Sequence, residues 1–318
     1  MNNRIIFMGT PAFAAASLDA LLAARMEVAA VVTAPDRPAG RGLKLRMSAV
    51  KERAVQAGLP VLQPTNLKDP AFLGQLDALD ASLYIVVAFR MLPEAVWRKP
   101  PLGTVNLHAS LLPNYRGAAP INWALINGEA RTGVTTFLIN AQIDTGDILL
   151  REPVHISPED NAGTLHDRLM HTGADLLVRT AKDIMDGTAT PISQADHVDD
   201  QRREAPKLSS GNCRIQWAAS ADHVHNHVRG LSPHPGAWTH WKTDGQPDRL
   251  VKILSAKPLH GHGRHQPPGT VDIAGERLLV HCGNGVLEVL QLQMQDKRPM
   301  DAASFIRGMQ QRSGLLLG

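Results

Sequence analysis

Leu83-Tyr84-Ile85-Val86-Val87-Ala88 is an unbroken run of apolar side chains. A strand with one wet face alternates polar and apolar residues. An unbroken run of this length is instead expected of a central strand covered on both faces, as in a parallel sheet. Upstream, Arg4-Ile5-Ile6-Phe7-Met8 followed by Gly9-Thr10-Pro11 reads as a buried strand ending in a tight turn. Phe13 to Ala24, rich in Ala and Leu, reads as a helix, and Val28 to Thr33 as a second strand. Val50 to Ala57 reads as a helix closed by Gly58, and Val61-Leu62 starts a short strand. Downstream, Thr104 to His108 is a short strand with polar residues near its end. Pro120 to Ile126 is a helix with Pro near its start and Gly128 past its end. Val134 to Ile139 is again a strand. Strands alternating with helices indicate an α/β fold with a mostly parallel sheet.

The pattern breaks between about Ala189 and Lys207. The run DHVDDQRREAPKLSS is polar, charged and interrupted by Pro206, and reads as a linker. Beyond it, Pro233, Pro235, Pro267, Pro268 and many glycines separate short β-type runs, among them Leu250 to Leu254, Arg277 to His281 and Val286 to Leu292. A small antiparallel β-barrel is the expectation there. The expected division is therefore a first domain over 1–189, a linker over 190–207 and a second domain over 208–318.

With 318 residues, 43% of them hydrophobic and 20% charged, the chain is not a disordered one. Cys213 and Cys282 cannot build a disulfide framework or a four-cysteine zinc site. No apolar run is long enough to cross a membrane, and the N-terminus, MNNRIIFMGTPAF, is not a signal peptide, so the cytoplasm is the expected compartment. The net charge of +3 is unevenly spread. From Leu208 onward there are 12 Lys+Arg against 8 Asp+Glu, and nine of the 14 histidines. That basic final third permits an anionic partner such as nucleic acid.

Polar residues with chemistry cluster around one strand. Asn106 and His108 are two apart, so they share a face of it. The loop Ala109-Ser110-Leu111-Leu112-Pro113-Asn114-Tyr115-Arg116-Gly117 follows, and open α/β sheets bind ligands at the carboxyl ends of their strands. A second loop, Ile143-Asp144-Thr145-Gly146-Asp147, can bring Asp144 beside His108. An amide, an imidazole and a carboxylate suit the attack of an amine on a carbonyl carbon. The amide N–H and a protonated imidazole stabilise the oxyanion that forms. The carboxylate orients the imidazole and helps move the amine's proton.

HASLLPNYRGAAPINWALINGE (His108 to Glu129) resembles the folate-dependent formyltransferases. Their shared pattern is Asn-x-His, then SLLP, then a later Asp in a DTGDI-type loop, and all three elements occur here in order. MGTPAFA (Met8 to Ala14), PDRPAGRGLKLRMSAVK (Pro35 to Lys51), APKLSS (Ala205 to Ser210), RGLSPHPGAW (Arg229 to Trp238) and KRPMDAASFIRG (Lys297 to Gly308) extend the resemblance over nearly the whole chain. They point to the branch that formylates the methionine carried by initiator tRNA. The resemblance implies a Rossmann-like catalytic domain, an OB-like C-terminal barrel that holds tRNA, and 10-formyltetrahydrofolate as formyl donor, with tetrahydrofolate as product.

By the same resemblance, Asn106 and His108 bind the formyl oxygen, and Asp144 orients His108 and relays the proton. Ser110, Leu111, Leu112 and Pro113 contact the folate. Val87 to Leu92, including Phe89, Arg90 and Leu92, line the pterin pocket. Many relatives carry an aromatic-Gly pair there, where this chain has Phe89-Arg90-Met91.

The loop from Asp36 to Arg53 holds six basic residues against two acidic ones, and Gly40 and Gly42 lend it freedom. Such a loop can neutralise phosphates and reach unpaired nucleic-acid ends. The resemblance assigns it to the tRNA acceptor end, with Arg41 as the key arginine beside Arg37, Lys44 and Arg46. Lys207 is the candidate contact where the second domain begins. A monomer without a metal is expected.

Simpler readings compete at each position. His108 alone would be read as a core histidine, and Asp144 as a turn residue, since Asp-Thr-Gly suits turns. The basic loop could be only a solvated connection. His223, His225 and His227, and also His260, His262 and His265, could bind metal, but no acidic or thiol partners complete a site. Trp217, Trp238 and Trp241 read as barrel core. Rival functions are a formyltransferase acting on a sugar nucleotide or glycinamide ribonucleotide, a formyl-folate hydrolase, and a non-catalytic RNA-binding protein on the same fold.

Overall fold

The computed structural model describes residues 2–39, 44–196, 202–243, 247–260, 266–309 and 315–318. In chain order the elements begin β1 (Ile5–Gly9), α1 (Ala12–Ala23), β2 (Val28–Val32), β3 (Arg37–Ala39), β4 (Lys44–Arg46) and α2 (Ala49–Gln56). They continue with β5 (Val61–Leu62), α3 (Pro70–Ala78), β6 (Leu83–Val87), α4 (Glu94–Trp97), β7 (Thr104–His108), β8 (Arg116–Gly117) and α5 (Pro120–Ile126). Then come β9 (Arg131–Leu138), β10 (Ile148–His155), α6 (Ala162–Met185), a 3-10 turn (Gln194–Asp196) and β11 (Glu204–Ala205). The last part holds α7 (Ala221–Leu231), β12 (Ala237–Thr243), β13 (Arg249–Leu259), β14 (Val271–Ala274), β15 (Arg277–His281), β16 (Val286–Met294), β17 (Met300–Asp301), α8 (Ala302–Arg307) and β18 (Leu315–Leu317).

The chain forms two compact units. The first comprises Met1–Gly117, Thr132–Val154 and Asp167–Glu204, the second Ala118–Arg131, His155–His166 and Ala205–Gly318. The described part of the stretch read as a linker is structured. Ile192 pairs with Ile148, and Gln194 is buried in the first unit.

The main sheet of the first unit has the order β10-β9-β7-β6-β1-β2-β5. Strands β5, β2, β1, β6 and β7 are parallel, and the sequence order reverses between β1 and β6. This is the doubly wound arrangement expected from the alternating runs, and its carboxyl edge is where such sheets bind ligands. Every residue of β1 and β6 is buried. On one face Ile6, Met8, Tyr84 and Val86 pack with Phe72, Leu76 and Val96. The register aligns Gly9 with Val87 and Val87 with Leu107. The loops after β1, β6 and β7 therefore leave from one row of the sheet. Strand β9 runs antiparallel to β7, and the sheet is mostly rather than wholly parallel.

The second unit is an antiparallel sheet in the order β14-β15-β16-β13-β12-β18, with β17 on β16. A Thr270–Leu316 bridge and a 2.8 Å bond from Leu317 N to Gly269 O join its outer strands, so the sheet nearly closes into the expected barrel. Trp217, Trp241, Val224, Val228 and Leu278 fill its core, while Trp238 is only partly buried against it. Cys213 and Cys282 are buried free thiols, and burial pushes Cys282 up to about 12, which disfavours its thiolate.

Helix α6, 24 residues long, has no counterpart among the sequence expectations. Gly163, Gly173 and the threonines 164, 172 and 180 dilute its helical signal. Its place is settled by tertiary packing, including a 2.7 Å hydroxyl pair between Thr180 and Thr136 on β9.

Gly9 ends β1 at the crowded row. A Cβ there would meet Ala14 Cβ at 2.5 Å and the Val87 carbonyl oxygen at 2.9 Å. Gly9→Ala should destabilise the first unit by about 1–3 kcal/mol, because the clash includes rigid backbone. A lowered urea midpoint of the first unit's transition checks this.

Candidate active site

Strand β7 ends in the site. His108 is buried, and its Nε2 lies 2.8 Å from the Tyr115 carbonyl oxygen. A carbonyl only accepts, so Nε2 carries the hydrogen and donates it. The other ring nitrogen, Nδ1, faces Asp144 Oδ2 at 3.8 Å. That distance is too long for a direct hydrogen bond, and it leaves the carboxylate beside the imidazole without saturating either group. The same Oδ2 accepts the Gly117 backbone N–H at 3.0 Å. Asn106 is half-buried on the His108 face of β7, and its side chain makes no hydrogen bond among the described residues. Its two N–H donors are available to a ligand.

Asp144 reaches this place by an unexpected route. Because β9 is antiparallel, Leu138 pairs with Val105, and the loop after β9 begins level with the start of β7, away from His108. The loop then folds back along the sheet. Gly146 is pressed so close to Leu138 that a Cβ would overlap the Leu138 carbonyl oxygen. Asp144 itself has φ 53°, the left-handed region that few non-glycine residues occupy.

The Ser110–Pro113 stretch is mostly turned inward. Ser110 and Leu112 are fully buried and Pro113 is buried, while Leu111 is half-buried. Ser110 Oγ donates to Asn114 O at 2.7 Å, and Thr135 Oγ1 joins Ser110 O to Leu112 N. The side chains of Ser110 and Leu112 thus shape the loop, while the half-buried Leu111 lays its side chain over Gly133 of β9.

A cavity of about 340 Å³ lies at the carboxyl ends of β1, β2 and β6. Thr10, Arg37, Arg46, Met47, Phe89 and Arg90 are among its lining residues. It joins residues expected at the folate (Phe89, Arg90) to residues expected at RNA (Arg37, Arg46). Phe89 to Leu92 make no backbone hydrogen bonds to described residues. Arg90 is tied to the carbonyls of Pro64 and Thr65, the latter at 2.9 Å, and also stacks 5.6 Å over Phe89. Leu92 is buried in the core below.

The basic loop is a β3–β4 hairpin whose root is clamped. Lys51 Nζ donates to Asp36 Oδ2 at 2.6 Å and to Gln63 Oε1 at 2.8 Å, and Gln63 Nε2 donates to Asp36 Oδ1 and Ala34 O. Arg37 and Arg46 are exposed and paired in register. Arg41 lies outside the described residues, as do His262 and His265, and for Lys44 only the backbone is described. Lys207 is exposed in the second unit. His225 bonds Ala256 O from α7, and no group of metal-ligating residues occurs among the described residues.

Gln194, Gly117, Lys51 and Gln63 were not singled out by sequence reasoning. A lone glutamine, glycine or lysine gives no signal in the sequence, and only the folded contacts give these residues a role.

The sheet and the amide–imidazole–carboxylate set at its edge define a group-transfer enzyme. A family model described as "Formyl transferase" matches residues 3–181, and one described as "Formyl transferase, C-terminal domain" matches residues 207–310. The chain is 49% identical over 305 residues to a methionyl-tRNA formyltransferase of Flavobacterium johnsoniae, covering 96% of each chain. It is 46% identical to the enzyme of that name from Flavobacterium psychrophilum, again covering 96% of each. The sugar 3N-formyl transferase WlaRD, solved in the presence of dTDP and 5-N-formyl-THF, shares the fold with a TM-score of 0.66 at 15% identity, over 93% of this chain and 98% of that one. The chain belongs to the formyl transferase family, among the methionyl-tRNA formyltransferases.

The clamp gives a pH prediction. Hydrogen bonds from Lys51, then Gln63, hold the Asp36 carboxyl below its ordinary value of 3.8. A carboxylate with a lowered folded pKa stabilises the fold above its unfolded pKa and loses that effect as pH falls through the folded value. Lys51→Met should therefore raise the Asp36 pKa toward 3.8. Carboxyl chemical shifts followed through an acid titration check this.

Proposed function

We propose that this chain transfers the formyl group of 10-formyltetrahydrofolate to the α-amine of methionine on initiator tRNA. The observation that carries the chemistry is an uncommitted Asn106 amide beside a buried His108 whose free nitrogen faces Asp144. The acceptor follows from relatives of that name aligned over 96% of both chains.

When bound, the formyl-folate supplies a carbonyl carbon to which the methionine nitrogen adds before the bond to the folate nitrogen breaks. Asn106 donates to the formyl oxygen as negative charge develops there, and protonated His108 adds a second donor. Asp144 receives the proton that the attacking nitrogen loses, and that proton is returned to the folate nitrogen as it leaves. Tyr115 O fixes the imidazole through Nε2, so Nδ1 is left for the reaction. No side chain becomes covalently attached.

Phe89, Arg90 and Leu111 form the folate side of the site in this reading, with Ser110, Leu112 and Pro113 shaping its wall. Arg37, Arg41, Lys44 and Arg46 on the hairpin meet the acceptor end, and Lys207 with the basic second unit meets the tRNA flank. Phosphate neutralisation of this kind weakens steeply as salt rises.

Two outcomes are expected. Initiator methionyl-tRNA should be formylated and methionine-charged elongator tRNA should not, as read by formyl transfer from labelled donor. Product on neither tRNA overturns the tRNA acceptor. Asp144→Asn should fold normally by circular dichroism yet lose about two or more orders of magnitude in single-turnover rate. An unchanged rate removes Asp144 from proton transfer.

A further inference from the structure

Asp144 is held from two sides by one dipeptide. Gly117 N–H grips its carboxylate at 3.0 Å. Arg116, the preceding residue, grips its backbone through an intermediary, Gln194. Gln194 Oε1 accepts from Arg116 Nε at 3.1 Å and Nη2 at 2.6 Å. Gln194 Nε2 donates to the carbonyls of Asp144 at 3.0 Å and Gly146 at 2.7 Å.

Both ends of the Gln194 amide are fully used, and its orientation is unambiguous. Flipping it would set an NH₂ against a guanidinium and an oxygen against two carbonyls. The side chain is only 2% exposed, so water does not stand in for any of these bonds. Its segment is anchored by paired 2.8 Å bonds between Ile192 and Ile148. The residue it grips has a left-handed backbone that its neighbours must maintain.

We propose that Gln194 is a positioning residue for the reaction: through the Asp144–Gly146 backbone and Arg116, it sets where the Asp144 carboxylate stands beside His108. The inference rests on the function proposed above. No simple replacement reproduces it. Glutamate keeps the acceptor for Arg116 but has no N–H for the two carbonyls, and methionine keeps the volume but neither polar role.

The test joins kinetics to a readout that needs no tRNA. Gln194→Met should lower kcat by about 10- to 100-fold while leaving KM for donor and tRNA within about threefold, as expected when a reacting group is misplaced. In an Asp144→Asn background the same change should cost less than about twofold, because both variants remove one function. In ¹⁵N-labelled protein without substrates, the Gly117 amide should exchange about tenfold faster or more in Gln194→Met, as its bond to Asp144 loosens. Gln194→Glu, which keeps both size and polarity, should move every readout in the same direction and serves if the methionine variant does not fold. Full multiplicative loss in the double variant, unchanged kcat, or unchanged Gly117 exchange would overturn the proposal. If the wild-type chain formylates no tRNA, the proposed function fails, and the exchange measurement still decides the role of Gln194.

Discussion

One row of backbone governs the first unit. Gly9, Val87 and Leu107 lie side by side in three parallel strands, and each strand releases its loop at that level. The two central strands are buried along their whole length, so a slip of one residue would move entire side-chain sets to the wrong face. The register is thereby fixed, and so are the starting points of the loops that carry Thr10, Phe89-Arg90 and Ser110 to Tyr115. Chemistry is mounted on a part of the molecule that cannot shift without unpacking the core.

The strands of this row were legible because burial on both faces leaves an unmistakable apolar run. Asn106 and His108 were legible through their spacing and the SLLP context together, since His108 alone reads as a core histidine. Asp144 was legible only through the family resemblance. Its loop follows an antiparallel strand and begins away from His108, so no argument from strand ends alone would have brought it there. Helix α6 escaped notice because residues such as Thr180 and Gly173 serve contacts with the sheet rather than helix propensity. The segment around Gln194 looked like a linker because its composition is polar. A single buried amide does not alter composition, so nothing in it announced that Gln194 packs inside the first unit.

The Ser110 to Pro113 stretch has a structural role of its own. Its recurrence within a family can reflect contact with ligand or the building of a loop. Here Ser110 and Leu112 are buried and bonded within the protein. Their identity is explained by the loop they close, which in turn delivers Tyr115 O to His108 Nε2. A motif residue can thus act on chemistry through the shape of the backbone.

The β3–β4 hairpin separates charge from order in the same way. Arg37 and Arg46 on it are exposed, while Asp36, Lys51 and Gln63 bond one another at the root. A freely swinging basic loop would attract any polyanion with equal ease. The clamped root lies beside the cavity that Arg37, Arg46, Phe89 and Arg90 line, and in the proposed function it sets where an anion drawn in by the arginines comes to rest. Charge then supplies attraction at a distance, and the neutral hydrogen-bonded root supplies direction. This division explains why the cavity is lined by residues of both kinds, aromatic and cationic, although they arise from elements far apart in sequence.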